Sequence, residues 1–137
     1  MGAQLYNGAK GAVEVGDINM VIYFLNRMNN SDLDTLLYSA AEYGQKDTFD
    51  FLLKKGAKNL PFALIGAIRS DNLEMVEYIL SKMPTLTLEQ VHDYSLDIFT
   101  QHGNTRVFEY FVMLEDKIEK EWTRQARSKA QKRRYKK

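Results

Sequence analysis

The sequence predicts an all-α solenoid of about four helix–turn–helix repeats followed by a long, basic C-terminal helix. Three observations carry the prediction. Four turns along the chain bring the side chains around them into register, an apolar stripe at helical spacing follows each turn, and no Gly or Pro interrupts the chain after the last one.

The turns are Gly16, Gly44, Asp71 and Gly103. Four residues before them stand Ala12, Ala40, Ala67 and Phe99, so three of the four copies place a small residue there. One residue after come Asp17, Gln45, Asn72 and Asn104, three of which are good helix N-caps. Five residues after lie Val21, Phe49, Val76 and Phe108, and seven after lie four aromatics, Tyr23, Phe51, Tyr78 and Tyr110. The next two positions hold Phe24-Leu25, Leu52-Leu53, Ile79-Leu80 and Phe111-Val112, which completes one apolar stripe on a helix.

Each copy therefore reads as a helical hairpin. A first helix ends at a residue able to take a left-handed backbone, easy for Gly and tolerable for Asp. A second helix then runs back antiparallel. One hairpin cannot bury its stripe alone, so neighbours must stack into a solenoid. The small residues let first helices approach one another, and the aromatics and aliphatics of the second helices are expected to fill the seams.

The second copy carries a resemblance. Its Ala40-Ala41 pair, the turn at Gly44, Phe49, the Leu52-Leu53 pair and Gly56-Ala57 resemble the central stretch of an ankyrin repeat. Leu60-Pro61-Phe62-Ala63-Leu64 is similar to the Thr-Pro-Leu-His-Leu opening of the family's next first helix, and Pro is accommodated in a helix's first turn. The likeness spans roughly residues 5–114 and is weakest in the fourth copy. Turn-to-turn spacings of 28, 27 and 32 residues are shorter than the family's repeat of about 33. Between Gly56 and Pro61 there is no room for the family's β-hairpin finger. Such shortened repeats resemble those of multigene families in large double-stranded DNA viruses. The resemblance implies a protein-binding module.

After the fourth turn, Val107, Phe108, Phe111, Val112, Leu114, Ile118, Trp122, Ala126 and Ala130 keep spacings of three and four. The expectation is one helix from about Asn104 to near Arg134. Its first half would close a repeat domain over residues 1–114, and residues 115–137 would project as an arm.

Charge marks that arm. The net charge of +1 hides an opposition between the two ends of the chain. Residues 123–137 hold eight bases (Arg124, Arg127, Lys129, Lys132, Arg133, Arg134, Lys136 and Lys137) and no acid, and the first 122 residues carry a balance of −7. Such asymmetry points to an anionic partner, either an acidic protein surface or nucleic acid. Phosphate contacts by the arm, with Tyr135 and Trp122 stacking on bases, would give strongly salt-dependent binding. The same cluster reads as a nuclear localisation patch.

Other classes find little support. The absence of cysteine excludes a disulfide framework, zinc-finger spacings and cysteine nucleophiles, and suits a reducing, intracellular setting in cytoplasm or nucleus. The longest apolar run, Met20 to Leu25, is far short of a membrane span, and the first residues carry neither a signal-peptide pattern nor a myristoylation motif. Neither a phosphate-cradling glycine loop nor a nucleophile–base pair is present. His92, beside Glu89 and Asp93, reads as an exposed polar face rather than a metal site, and His102 as a helix C-terminal cation. No enzyme activity, cofactor, metal or small-molecule substrate is therefore expected. The expectation is a scaffold or adaptor in a larger assembly, or alternatively a nucleic-acid-binding protein acting through the arm. The first helices offer Tyr6, Tyr38, Tyr43, Arg69 and Tyr94 as a protein-binding face, since Tyr and Arg are enriched at interfaces.

Overall fold

The fold is taken from a computed structural model, which describes residues 2–29 and 32–135. Among these residues there are eight α-helices and no strand: α1 (Gly2–Val15), α2 (Ile18–Leu25), α3 (Leu33–Glu42), α4 (Lys46–Lys54), α5 (Leu60–Arg69), α6 (Leu73–Lys82), α7 (Leu88–His102) and α8 (Arg106–Tyr135). They pair as four consecutive hairpins. The chain forms two compact units that divide between Pro84 and Thr85, the first holding α1–α6 and the second α7 and α8.

In the first unit the three turns are built alike. The amides of Gly16, Gly44 and Asp71 donate to the carbonyls of Val13, Ala41 and Ile68 at 3.0–3.2 Å. The amides of Asp17, Gln45 and Asn72 reach back to Ala12, Ala40 and Ala67 at 2.9–3.0 Å. This double closure is a Schellman turn, which requires a left-handed residue at its corner. Gly16 and Gly44 take φ of 76° and 69°, and Asp71 takes 53° without a glycine's freedom. Asp17 and Asn72 then cap α2 and α6 through their side-chain oxygens.

The small residues act as the spacing requires. Ala12, Ala40 and Ala67 are all buried, and α3 lies against both α1 and α5. The closest approach is at Gly66, where an added Cβ would sit 2.7 Å from the Tyr38 carbonyl oxygen of α3. On the second helices Val21, Phe49, Leu52, Val76 and Ile79 are fully buried. The connection from α4 to α5 is as short as the spacing predicts. A second Schellman turn at Gly56 ends α4, and the Asp34 carboxylate of α3 accepts the amides of Lys58 and Asn59 at 2.8 and 3.0 Å.

Two expectations need correction. The aromatics seven residues after each turn do not seal the seams. Tyr23 is 46% exposed, and Phe51, Tyr78 and Tyr110 are half-buried at the rim. Cations cover three of them: Arg27 lies over Tyr23 at 3.7 Å, Lys55 over Phe51 at 5.4 Å, and Lys46 and Lys82 over Tyr78 at 4.4 and 4.8 Å. A ring beside long basic side chains keeps its polar edge wet while its body covers apolar surface.

The second correction concerns the fourth hairpin. Gly103 makes a single closing bond to Phe99, and the helix that follows is capped by Thr105 rather than Asn104, with the Thr105 hydroxyl accepting the Phe108 amide at 3.1 Å. The burial pattern of α7 differs as well. Ile98 is buried, and Phe99, in the place of the buried alanines, is 53% exposed against Phe108. A capping box built by Thr87 and Gln90 starts α7. The following helix α8 then runs unbroken through residues 114 and 115, and every described side chain from Glu119 to Arg134 is exposed.

Candidate functional site

The first helices of the first unit present a face built at helical spacing. On α5, Ala63, Leu64 and Ala67 turn inward, which leaves Phe62, Ile65 and Arg69 on the solvent side at steps of three and four. Phe62 is 37% and Ile65 49% exposed. The Phe62 ring stacks on Tyr38 of α3 with centroids 4.7 Å apart, and the Arg69 guanidinium donates to the Tyr38 hydroxyl at 3.5 Å. That bond, with the nearby Glu42 carboxylate, holds the Arg69 pKa above its usual value. Asn59 caps α5 by accepting the Phe62 amide, which fixes where the stripe begins.

Tyr43, the residue that ends α3, is 50% exposed. On α1, Lys10 pairs with Glu14 at 3.4 Å, and the hydrogen bond to that carboxylate, with its charge, holds the Lys10 pKa above its usual value. Of the five residues expected to form the face, Tyr38 and Arg69 are in direct contact, Tyr6 is half-buried on α1, and Tyr43 is exposed at the end of α3. Tyr94 belongs to the second unit. Its ring packs on Phe111 with centroids 5.6 Å apart, and burial pushes its phenol pKa up. Phe62, Ile65 and Lys10 were not among the expected residues. The signal for Phe62 and Ile65 lay in the Phe62–Ile65–Arg69 spacing on the side opposite the buried alanine.

The second unit holds a polar pin. His92 Nδ1 bonds Glu115 of α8, whose other carboxylate oxygen accepts from the buried Ser95 hydroxyl at 3.2 Å. The hydrogen bond to Glu115, and after it the charges of Glu115, Asp93 and Glu119, raise the His92 pKa. His92 is exposed, as expected, and also joins two helices through a residue far along the sequence. His92 and Ser95 thus tie α7 to α8 through one carboxylate.

The arm divides into two parts. Near its root, Asp116 pairs with Lys120 at 2.9 Å and Glu121 with Arg124 at 2.6 Å. Beyond Arg124 the pairing stops. Arg127, Lys129, Lys132, Arg133 and Arg134 are exposed, and among the described residues none has an anionic partner. At 100° per residue these bases lie on several sides of α8. Lys136 and Lys137 lie outside the described residues, and nothing is described of the Tyr135 side chain. Trp122, at the boundary, is 71% exposed.

Similarity to known proteins agrees with this geometry. A family model of ankyrin repeats, in three copies, matches residues 10–90, more than half of the chain. The chain belongs to the ankyrin repeat family. The match ends just inside α7, and the hairpin beyond it is the one whose turn and small-residue position depart from the other three. It is a match to the repeat itself and lends no support to the viral multigene kind. No curated protein and no solved structure matches the chain. Ankyrin repeats are generally protein-interaction modules. Among the described residues no helix is long and apolar enough to cross a membrane.

Proposed function

We propose that this chain is a non-catalytic scaffold or adaptor inside the cell, which docks a protein partner on the first-helix face of its repeats and an anionic surface on its basic arm. One observation carries the first half. The α3–α5 surface leaves Phe62, Ile65 and Tyr43 exposed around a Tyr38–Arg69 hydrogen bond, so apolar anchors surround a fixed polar handle. Interfaces favour that mixture, because aromatic and arginine anchors carry a disproportionate share of binding energy. The unpaired bases beyond Arg124 support the second half.

The test uses three baits: the full chain, an Ile65→Glu/Tyr43→Ala variant, and a chain truncated after Trp122. The reading expects a partner captured by the full chain and by the truncation, resistant to high salt, and lost from the face variant. Capture that persists on the face variant and vanishes with the arm contradicts it.

That outcome would favour the second reading, nucleic-acid binding through the arm. The observation behind it is the exposed Trp122 beside a charge-dense helix end. Affinity for duplex or single-stranded nucleic acid would then fall steeply with salt, as counterion release demands.

A further inference from the structure

We propose that the anionic surface for the α8 arm is the acidic outer face of α7 in a second copy of this chain, so that two copies associate by reciprocal arm–α7 contacts. This rests on the reading of the arm as an anion-seeking element and names its target.

Helix α7 carries Glu89, Asp93 and Asp97 at steps of four, on the side opposite the buried Val91, Ser95 and Ile98. All three acids are exposed, and α7 contains no Lys or Arg to balance them. Among the described residues Glu89 and Asp97 have no cationic partner. Leu96, beside them on the same side, is 56% exposed. The acidity is local, since residues 85–122 hold eight acids against three bases.

The arm presents the complement. Trp122, Ala126, Lys129 and Arg133 follow one another at steps of four, three and four, so they share one face of α8. That face continues the line of Phe111, Glu115 and Ile118, which meets α7 within the hairpin. Because α7 begins at Leu88 and His92 lies level with Glu115, α7 runs out before Trp122, and the same face of α8 goes on without a neighbour. Bases at four-residue steps stand ready for acids at four-residue steps, with one large apolar side chain on each helix.

The two stripes cannot meet within one copy. Fourteen residues of unbroken helix separate Lys129 from Glu115, about 21 Å at 1.5 Å per residue. The arm therefore points away from its own α7, and Asp97 lies farther still in the opposite direction. In a second copy the obstacle disappears. With each arm running parallel to the other copy's α7, the two α8 helices are antiparallel and the arrangement closes as a two-fold dimer. The basic ends then lie at opposite ends of the pair, which limits their repulsion. Exposed ion pairs contribute little individually, so burial of Trp122 and Leu96 must supply part of the association.

Sedimentation velocity of the full chain, together with emission from Trp122, its single tryptophan, tests the proposal. At about 50 mM salt a concentration-dependent dimer is expected with a blue shift of the emission, and at about 300 mM salt the association should weaken by about tenfold or more. A Glu89→Lys/Asp93→Lys/Asp97→Lys variant and a Lys129→Glu/Arg133→Glu variant should each be monomeric, and their equimolar mixture should associate again. All five positions are exposed, so neither variant disturbs the core. A parent chain that stays monomeric at low salt, or a mixture that fails to associate, overturns the proposal. Titration of the parent with duplex DNA and with polyglutamate then separates the two ideas. Arm-dependent binding to either probe by a monomeric chain removes self-docking and keeps the anion-seeking arm, whereas no binding removes both.

Discussion

Gln45 shows how a single side chain can couple two repeats. It follows the Gly44 turn and makes no side-chain cap to its own helix. Its amide nitrogen instead donates to the Glu14 carbonyl of the preceding repeat at 2.9 Å, satisfying one of the carbonyls left open at the end of α1. Gly16 takes a φ of 76°, which favours glycine, and an added Cβ there would push the Gln45 side-chain amide off this bond. Gln45→Ala should destabilise the chain by about 0.5–1.5 kcal/mol in denaturant unfolding. Gly66→Ala is more informative. Helix propensity alone predicts a gain of about 1 kcal/mol, whereas contact with the Tyr38 backbone predicts a loss, and unfolding midpoints should show the loss. The Ala-to-turn spacing announced the close helix approach in the sequence. That Gly66, and not Ala67, is the tightest point was not legible, because only the packed pair of helices fixes which residue faces the neighbouring backbone.

A carboxylate, Asp34, and an imidazole, His92, give the elements opposite responses to pH. Backbone amides of Asn59 and Lys58 hold the Asp34 pKa below the usual carboxylate range, so its contribution is present above the unfolded value and lost as pH falls through the lowered one. The Lys58 and Asn59 amides should therefore lose exchange protection, relative to other loops, only at acid pH, and Asp34→Asn should loosen them at neutral pH. His92 behaves in the reverse sense. Its raised pKa means that the tie between α7 and α8 is fully present below about 6.5 and is lost as pH rises through the higher folded value. Thermal unfolding of the full chain should show higher stability near pH 6 than near pH 8.5, with the difference reduced in His92→Gln. Helix existence was legible from periodicity, and α8 ends within a residue of its expected end. The pairing of His92 with Glu115 was not, since it joins residues from two helices and the sequence showed His92 only as part of an exposed polar face.

At the scale of the molecule, the repeats convert a weak local pattern into a buried core. Leu52 is fully buried, and Leu52→Ala should cost about 2–5 kcal/mol, whereas the half-buried Leu80 should cost less when truncated to Ala. The family, the all-helical class and the long C-terminal helix could be read because each rests on spacing repeated along the chain. The face proposed to bind a partner was legible only in part. Tyr38 and Arg69 do meet, but Phe62 and Ile65 resembled core residues until α5 packed its alanines inward and left them outside. The most direct measurement of the adaptor account is hydrogen exchange of the full chain, free and bound to a protein partner it retains at high salt. Protection gained along residues 62–69 of α5 and the end of α3 is the predicted result. Protection confined to α8, with α3 and α5 unchanged, would contradict it.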